Sequence, residues 1–312
     1  MALAILCSGQ GRQHRGMFAL TGSAPQAECL FTHAATLLGG RDPRELVETN
    51  DAGTLHGNRV AQILCTLQAL AAAAALRDAF PQEIVVAGYS VGEVASWGVA
   101  GFLGAMETLD LAARRAELMS AAAAPGEGMV FVRGLPRAQV EKLGAQFGAA
   151  IAIVNPGEAF VVGGGGEAVD AFARAARAMT GTKVVRLPVE VASHTPRLAA
   201  ASPQFRDVLR QVRIAAVPAG TRLLSGIDGA PVLDAETGFD KLAAQISHSV
   251  QWAACLQGCI EAGASAFFEL GPGPALSQMA AGACRDVPCR SLEDFRTLRG
   301  ARQWLAQRRD SI

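Results

Sequence analysis

Ser90 stands in the string Gly88-Tyr89-Ser90-Val91-Gly92-Glu93, directly after the β-branched run from Glu83 to Ala87. A serine with glycine two residues to either side, between a strand and a helix, is the pattern of a nucleophile elbow. The glycines let strand and helix pass closely, so the hydroxyl is exposed on a strained turn. The chemistry this suits is acyl transfer through an acyl-serine, with the oxyanion held by the following N–H, that of Val91, at a helix N-terminus. The alternative is a serine that merely caps the helix.

A serine nucleophile needs a base, and the chain has five histidines, at 14, 33, 56, 194 and 248. His14, His33 and His56 lie in polar or helical surroundings and are expected to be solvated. His194 follows Val189-Glu190-Val191-Ala192-Ser193 and precedes Thr195-Pro196, on a loop expected to border a cleft. It is the expected general base, with His248 the second candidate. Hydrolases with such an elbow usually place an acid between serine and histidine in the chain. Here Asp110 and Asp170 fall on helices of polar pattern, and alternation turns Glu190 away from His194. A Ser/His dyad is therefore expected, with backbone carbonyls fixing the imidazole tautomer.

Two further groups face the same chemistry. Gly9-Gln10-Gly11 closes the first strand at the same sheet edge; with histidine at position 14 it fails the G-x-G-x-x-G dinucleotide pattern. Either the N–H of Gln10 completes an oxyanion hole beside that of Val91, or the loop is a plain tight turn. Arg115 lines up with Leu111 and Leu118 on an apolar stripe, whereas Asp110, Arg114 and Glu117 form a solvated face. A buried arginine needs an anionic partner. A substrate carboxylate gripped by the guanidinium fork and an internal salt bridge both meet that need, and periodicity leaves the two open.

These residues require elements that bring positions 10, 90 and 194 together. Ala2 to Cys7 reads as a buried parallel strand, Leu55 to Phe80 as a long buried helix ended by Pro81, and Glu83 to Ala87 as a second strand. Strand, glycine-flanked turn and helix form a βα unit of a mainly parallel sheet, which binds ligands at the carboxyl ends of its strands. From Gly128 to Leu187 the pattern changes. Strands at Met129 to Arg133, Ile151 to Asn155, Phe160 to Gly163 and Lys183 to Leu187, with helices at Arg137 to Phe147 and Glu167 to Met179, give β-α-β-β-α-β, the ferredoxin-like order. The expected organisation is α/β: an α/β-hydrolase-like large domain, residues 1–127 and 188–312, carrying an inserted ferredoxin-like small domain, residues 128–187. The chain crosses between them at Ala121 to Gly126 and Pro188 to Ala192. The large domain resumes with a helix around Arg197 to Val212, a strand at Arg222 to Gly226, a helix at Gln251 to Ala262 and a strand at Ala266 to Leu270. Gly271-Pro272-Gly273-Pro274 then turns into a final helical region.

Composition removes other classes. The 312 residues carry 28 basic and 28 acidic side chains, and 18% are charged against a usual ~25%. No field of either sign recruits nucleic acid. Seven cysteines, an odd number without C-x-x-C units, read as reduced thiols, with neither a disulfide framework nor a zinc site. Val60 to Leu76 is interrupted by Gln62, Thr66 and Gln68, bracketed by Arg59 and Arg77, and shorter than the ~20 residues of a membrane span. Met1 to Cys7 lacks the basic start of a signal peptide. A cytoplasmic protein without membrane contact is expected.

Together the motifs resemble those of the malonyl-CoA:acyl carrier protein transacylases over nearly the whole chain. Gly9-Gln10-Gly11 is similar to the family's P-G-Q-G loop, with Ser8 in place of proline, and Gly88 to Glu93 to its G-H-S-x-G-E elbow, with Tyr89 in place of histidine. Arg115 occupies the position of the arginine that grips the acyl carboxylate. Asn155-Pro156-Gly157, Ser193-His194, Gln245 before Val250-Gln251-Trp252, and Glu269-Leu270-Gly271-Pro272-Gly273 also match; the stretch Gln245 to Ser249 lacks the family's usual asparagine. The elbow, with Leu111-Ala112-Ala113-Arg114-Arg115-Ala116-Glu117-Leu118-Met119, looks most like the acyltransferase (epsilon) subunit of bacterial malonate decarboxylase.

The resemblance implies transfer of malonyl from malonyl-CoA, through malonyl-Ser90, to the CoA-derived or phosphopantetheine thiol of an acyl carrier protein. It implies no bound cofactor or metal, and the other malonate decarboxylase subunits as partners. It implies Ser90 and His194 as catalytic, Gln10 and Val91 as the oxyanion hole, and Arg115, Gln245 and Asn155 as substrate-binding. Gln245 either shapes the acyl end of the pocket or offers the carbonyl that orients His194. The alternatives are a malonyl transacylase of fatty-acid or polyketide synthesis, a serine thioesterase, and a carrier-binding subunit with a dead site.

Overall fold

Alternation along each strand decides which face its side chains join. In the first strand, β1 (Ala2–Cys7), Leu3, Ile5 and Cys7 enter one apolar core while Ala2, Ala4 and Leu6 enter another. The second strand, β2 (Ile84–Gly88), divides in the same way, Ile84 and Val86 against Val85 and Ala87. Strands buried on both faces belong to a covered parallel sheet. The structure, a computed structural model, describes residues 2–49, 52–216 and 218–309. In it the two strands lie side by side in register, Leu3 on Ile84 through Cys7 on Gly88.

The remaining strands, in chain order, are β3 (Glu127–Arg133), β4 (Ala149–Asn155), β5 (Ala159–Gly165), β6 (Lys183–Arg186), β7 (Thr221–Leu223), β8 (Ala264–Glu269) and β9 (Cys289–Ser291). The large sheet runs β7-β2-β1-β8-β9, every pairing parallel. The chain leaves β1 to one side toward β2 and returns on the other at β8, so the order reverses at β1, where α/β sheets form their ligand crevice. The helical stretch Asn58–Ala79 is long and apolar enough to cross a membrane by length and composition, but it is buried in the core from Ala61 to Ala73.

The second sheet is antiparallel, in the order β4-β5-β3-β6, with helices Arg137–Phe147 and Gly166–Arg177 as its crossovers. This is the ferredoxin-like arrangement. Val130, Val132, Phe160 and Val162 build its own core with the two helices, while Met129, Ile153 and Val161 turn toward the large sheet and share its second core.

The differences from sequence expectation lie at short or polar elements. β3 begins at Glu127, not at 128 or 129, and the long helix spans Asn58–Leu76 with one 3-10 turn, Arg77–Ala79, before Pro81. Helices Glu28–Leu37, Pro43–Thr49 and Ala235–Ala244 and the strand β9 were not expected. Three residues suffice for β9, too few for any periodicity.

Candidate active site

The elbow follows from steric necessity. A Cβ on Gly88 would sit 2.1 Å from the carbonyl carbon of Gly92, and one on Gly92 would sit 2.0 Å from the carbonyl oxygen of Cys7. Only glycine fits at either place, because β1, β2 and the helix Val91–Val99 converge there. Ser90, pinned between them, takes φ 57° and ψ −120°, a strained conformation for a residue with a side chain. Val91 opens the helix, so its N–H is among the first-turn donors that the helix itself does not use. Gly9 abuts the same turn. A Cβ there would lie 2.6 Å from the Tyr89 carbonyl oxygen and 3.4 Å from Ser90 Cβ, which brings the loop carrying Gln10 against the serine.

His194 reaches this turn from the return crossing. Glu127, buried at the start of β3, accepts hydrogen bonds from the N–H of Ala192 at 3.0 Å and from Arg197 Nε at 2.5 Å, clasping the segment on both sides of the histidine. His194 also has positive φ, 62°, and its N–H donates to the Ile246 carbonyl at 2.8 Å. Its Nε2 lies 2.7 Å from Ser90 Oγ, and its Nδ1 lies 2.6 Å from the Gln245 carbonyl oxygen. A carbonyl can only accept, so the proton belongs on Nδ1, leaving Nε2 bare to accept from the serine hydroxyl. Burial, and after it the charge of Arg115, push His194 down from 6.5 to about 3, with the Gln245 carbonyl opposing. The imidazole is neutral at physiological pH, the state a base requires.

Arg115, on the helix Ala105–Ala122, is completely buried. Among the described residues no carboxylate lies within 4.0 Å of it, so the internal salt bridge is absent. Its Nη1 donates to Gln62 Oε1 at 2.8 Å and its Nη2 to Gln245 Oε1 at 2.9 Å, while Nε has no partner. Burial lowers its pKa to about 10, with the charge of Glu93 opposing, so it stays charged, and its hydrogen bonds go to neutral amides. A buried cation without an anion in direct contact is costly unless one is supplied.

Gln245 joins the two halves of the site. Its backbone carbonyl accepts from His194 Nδ1, its Oε1 accepts from Arg115 Nη2, and its Nε2 donates to the Ser90 carbonyl at 3.2 Å and to the Glu93 carboxylate.

The remaining sequence candidates have no hydrogen bond to Ser90, His194 or Arg115 among the described residues. Asn155, at the end of β4, has its side chain on the Tyr89 phenol and its Oδ1 without a partner, and Tyr89 in turn packs edge-on against Trp252 at 5.4 Å. His248 is exposed and bonded to the Ala244 carbonyl, and His14 and His33 pair with Glu293 and Asp110.

A sequence profile described as the acyl transferase domain matches residues 5–293. The chain belongs to that acyltransferase family. It is similar to the malonyl CoA-acyl carrier protein transacylase of Mycobacterium tuberculosis, 32% identical over 93% of this chain and 96% of that protein. It is 34% identical over 88% of its length to a Streptomyces halstedii polyketide synthase, of which it covers 5%. The solved acyl-carrier-protein S-malonyltransferase of Burkholderia pseudomallei superposes with a TM-score of 0.88 at 26% identity, covering 97% of this chain and all of that one.

Within this acyltransferase site, sequence reading passed over Gln62 and Glu93. Gln62 interrupts a buried apolar helix, and Glu93 follows the elbow's second glycine on a buried, mostly apolar helix. A polar residue on a wholly buried face was the available signal in both cases.

Proposed function

We propose that this acyltransferase moves malonyl from malonyl-CoA to the prosthetic thiol of an acyl carrier protein through a malonyl-Ser90 intermediate. One observation carries the reading: a fully buried guanidinium bonded only to neutral amides hangs on the same Gln245 that orients the base of Ser90. An acyl group with a free carboxylate supplies the missing anion and lays its thioester toward the serine.

His194 takes the Ser90 proton as Oγ attacks the thioester carbonyl, and the N–H groups of Gln10 and Val91 hold the oxyanion. The carbon–sulfur bond breaks, and the CoA thiolate leaves with the proton from His194. The carrier thiol then gives its proton to His194 and attacks the ester carbonyl, and Ser90 departs reprotonated. No triad acid is needed, because the Gln245 carbonyl holds the tautomer. Asn155 belongs to this reading as a contact for the incoming substrate, supported by its unpartnered Oδ1. Residues 128–187 form the inserted small domain, supported by their separate antiparallel sheet. The reaction is cytoplasmic, in keeping with seven free thiols.

The names of the relatives favour a carrier of fatty-acid or polyketide synthesis. Tyr89 in the elbow and the stretch Leu111 to Met119 favour the carrier of malonate decarboxylase, with that enzyme's other subunits as partners. Transfer rates to the two carriers, measured side by side, separate these readings. The shared chemistry is tested by peptide mass spectrometry after incubation with malonyl-CoA: a malonyl adduct on Ser90 is expected, absent in Ser90→Ala. CoA release should be rapid only when a carrier is present; steady release without one would identify a thioesterase instead.

A further inference from the structure

We propose that Glu93 is a positioning residue, whose buried carboxyl group accepts from the Gln245 amide and holds that amide in the one orientation that serves Arg115. The inference rests on the acyl-transfer reading above and extends it to a residue that touches neither substrate nor reacting atoms.

A glutamine side chain can present oxygen or nitrogen in either of two flipped orientations. Which one Gln245 adopts decides the site, because the atom facing Arg115 must accept. Glu93, three residues beyond the nucleophile and 1% exposed, settles it. Its carboxylate accepts from Gln245 Nε2, from the backbone N–H of Gly226 and from the Ser225 hydroxyl. With Nε2 held there and on the Ser90 carbonyl, Oε1 is left to face Arg115 Nη2 at 2.9 Å. Gly226 makes the contact possible, since a Cβ there would fall 2.5 Å from Glu93 Oε2 and 3.2 Å from Gln245 Nε2.

Every group around the carboxylate is a donor. A glutamine at 93 would bring an NH2 into that ring, and where it faces Gln245 the relief is a flip of Gln245 that turns nitrogen toward the guanidinium. Two donors then face each other and Arg115 shifts, while the Gln245 backbone carbonyl stays on His194 Nδ1.

The test is E93Q in the full chain, with KM and kcat measured separately for malonyl-CoA and acetyl-CoA at saturating carrier protein. The expected result is a KM for malonyl-CoA at least tenfold higher and a malonyl-to-acetyl ratio of kcat/KM at least tenfold lower, with the acetyl-CoA KM within twofold of wild type. G226A pushes the carboxylate off Gln245 from the other side and should lower the same ratio, so it carries the test should E93Q fail to fold. Folded variants that keep the wild-type ratio, or that lose both substrates in parallel, overturn the proposal. A wild-type chain that forms no malonyl-Ser90 overturns the acyl-transfer reading instead, and that failure is visible before any variant is made.

Discussion

At the scale of single residues, His194 and Arg115 are electrically coupled. The charge of Arg115 is the second cause, after burial, of the low pKa of His194. A carboxylate seated on the guanidinium would cancel that field, so the acyl group that fits there also makes the imidazole a better base. An uncharged acyl group leaves His194 depressed. In Arg115→Ala the field is gone permanently, and the titration of His194 should move upward from about 3. The pH dependence of Ser90 labelling by a serine-directed phosphonate reports it: the acid limb is expected at higher pH in the variant, and an unmoved limb would remove the coupling. The same variant should lose about 2–5 kcal/mol of preference for malonyl over acetyl transfer, read from the ratio of kcat/KM values, because a buried charge pair with substrate is lost.

Among the elements, the strand–turn–helix of the elbow does the positioning, and its tolerance is small. Gly92→Ala places a methyl 2.0 Å from a backbone carbonyl oxygen of β1, which no rotamer can relieve. It should destabilise the chain by about 3 kcal/mol or more through forced separation of strand and helix. An unchanged urea midpoint for this variant would show that the turn has room to spare. This unit was legible in the sequence because glycine spacing, a β-branched run and a helix start all coincide within ten residues of Ser90. The β-α-β-β-α-β order was legible for a similar reason, since each of its six elements is long enough to show a period. The partners of Arg115 were not. Periodicity put Arg115 on a buried stripe, but what faces that stripe, Gln62 from one helix and Gln245 from the end of another, depends on how three distant segments pack. Likewise, a histidine on a loop reads as a candidate base, but the carbonyl that fixes its tautomer is backbone and leaves no mark on residue type.

Across the whole molecule, burial of ionisable groups writes the site into the pH dependence of stability. Burial raises Glu93, bonded to Gln245, and Glu269, bonded to Ser8 and Ser277, from 4.5 to about 7 each. Their contribution is full below 4.5 and lost as pH rises through about 7. His194 runs the other way: its folded pKa is depressed from 6.5 to about 3, so its contribution is full above 6.5 and lost as pH falls toward 3. Between the two limits the carboxylates and the imidazole oppose each other, and the wild-type profile alone does not separate them. A difference does. His194→Gln deletes the imidazole's share and leaves both carboxylates, so the variant's stability relative to wild type should rise as pH falls from neutrality to about pH 5. One proton taken up by the unfolded chain and refused by the folded one gives about 2 kcal/mol over that range. Urea midpoints of the two proteins at both pH values measure it. A difference that stays flat would mean that His194 protonates as freely in the fold as outside it, which a buried imidazole between the Ser90 hydroxyl and a backbone carbonyl, under the field of an unpaired guanidinium, does not allow.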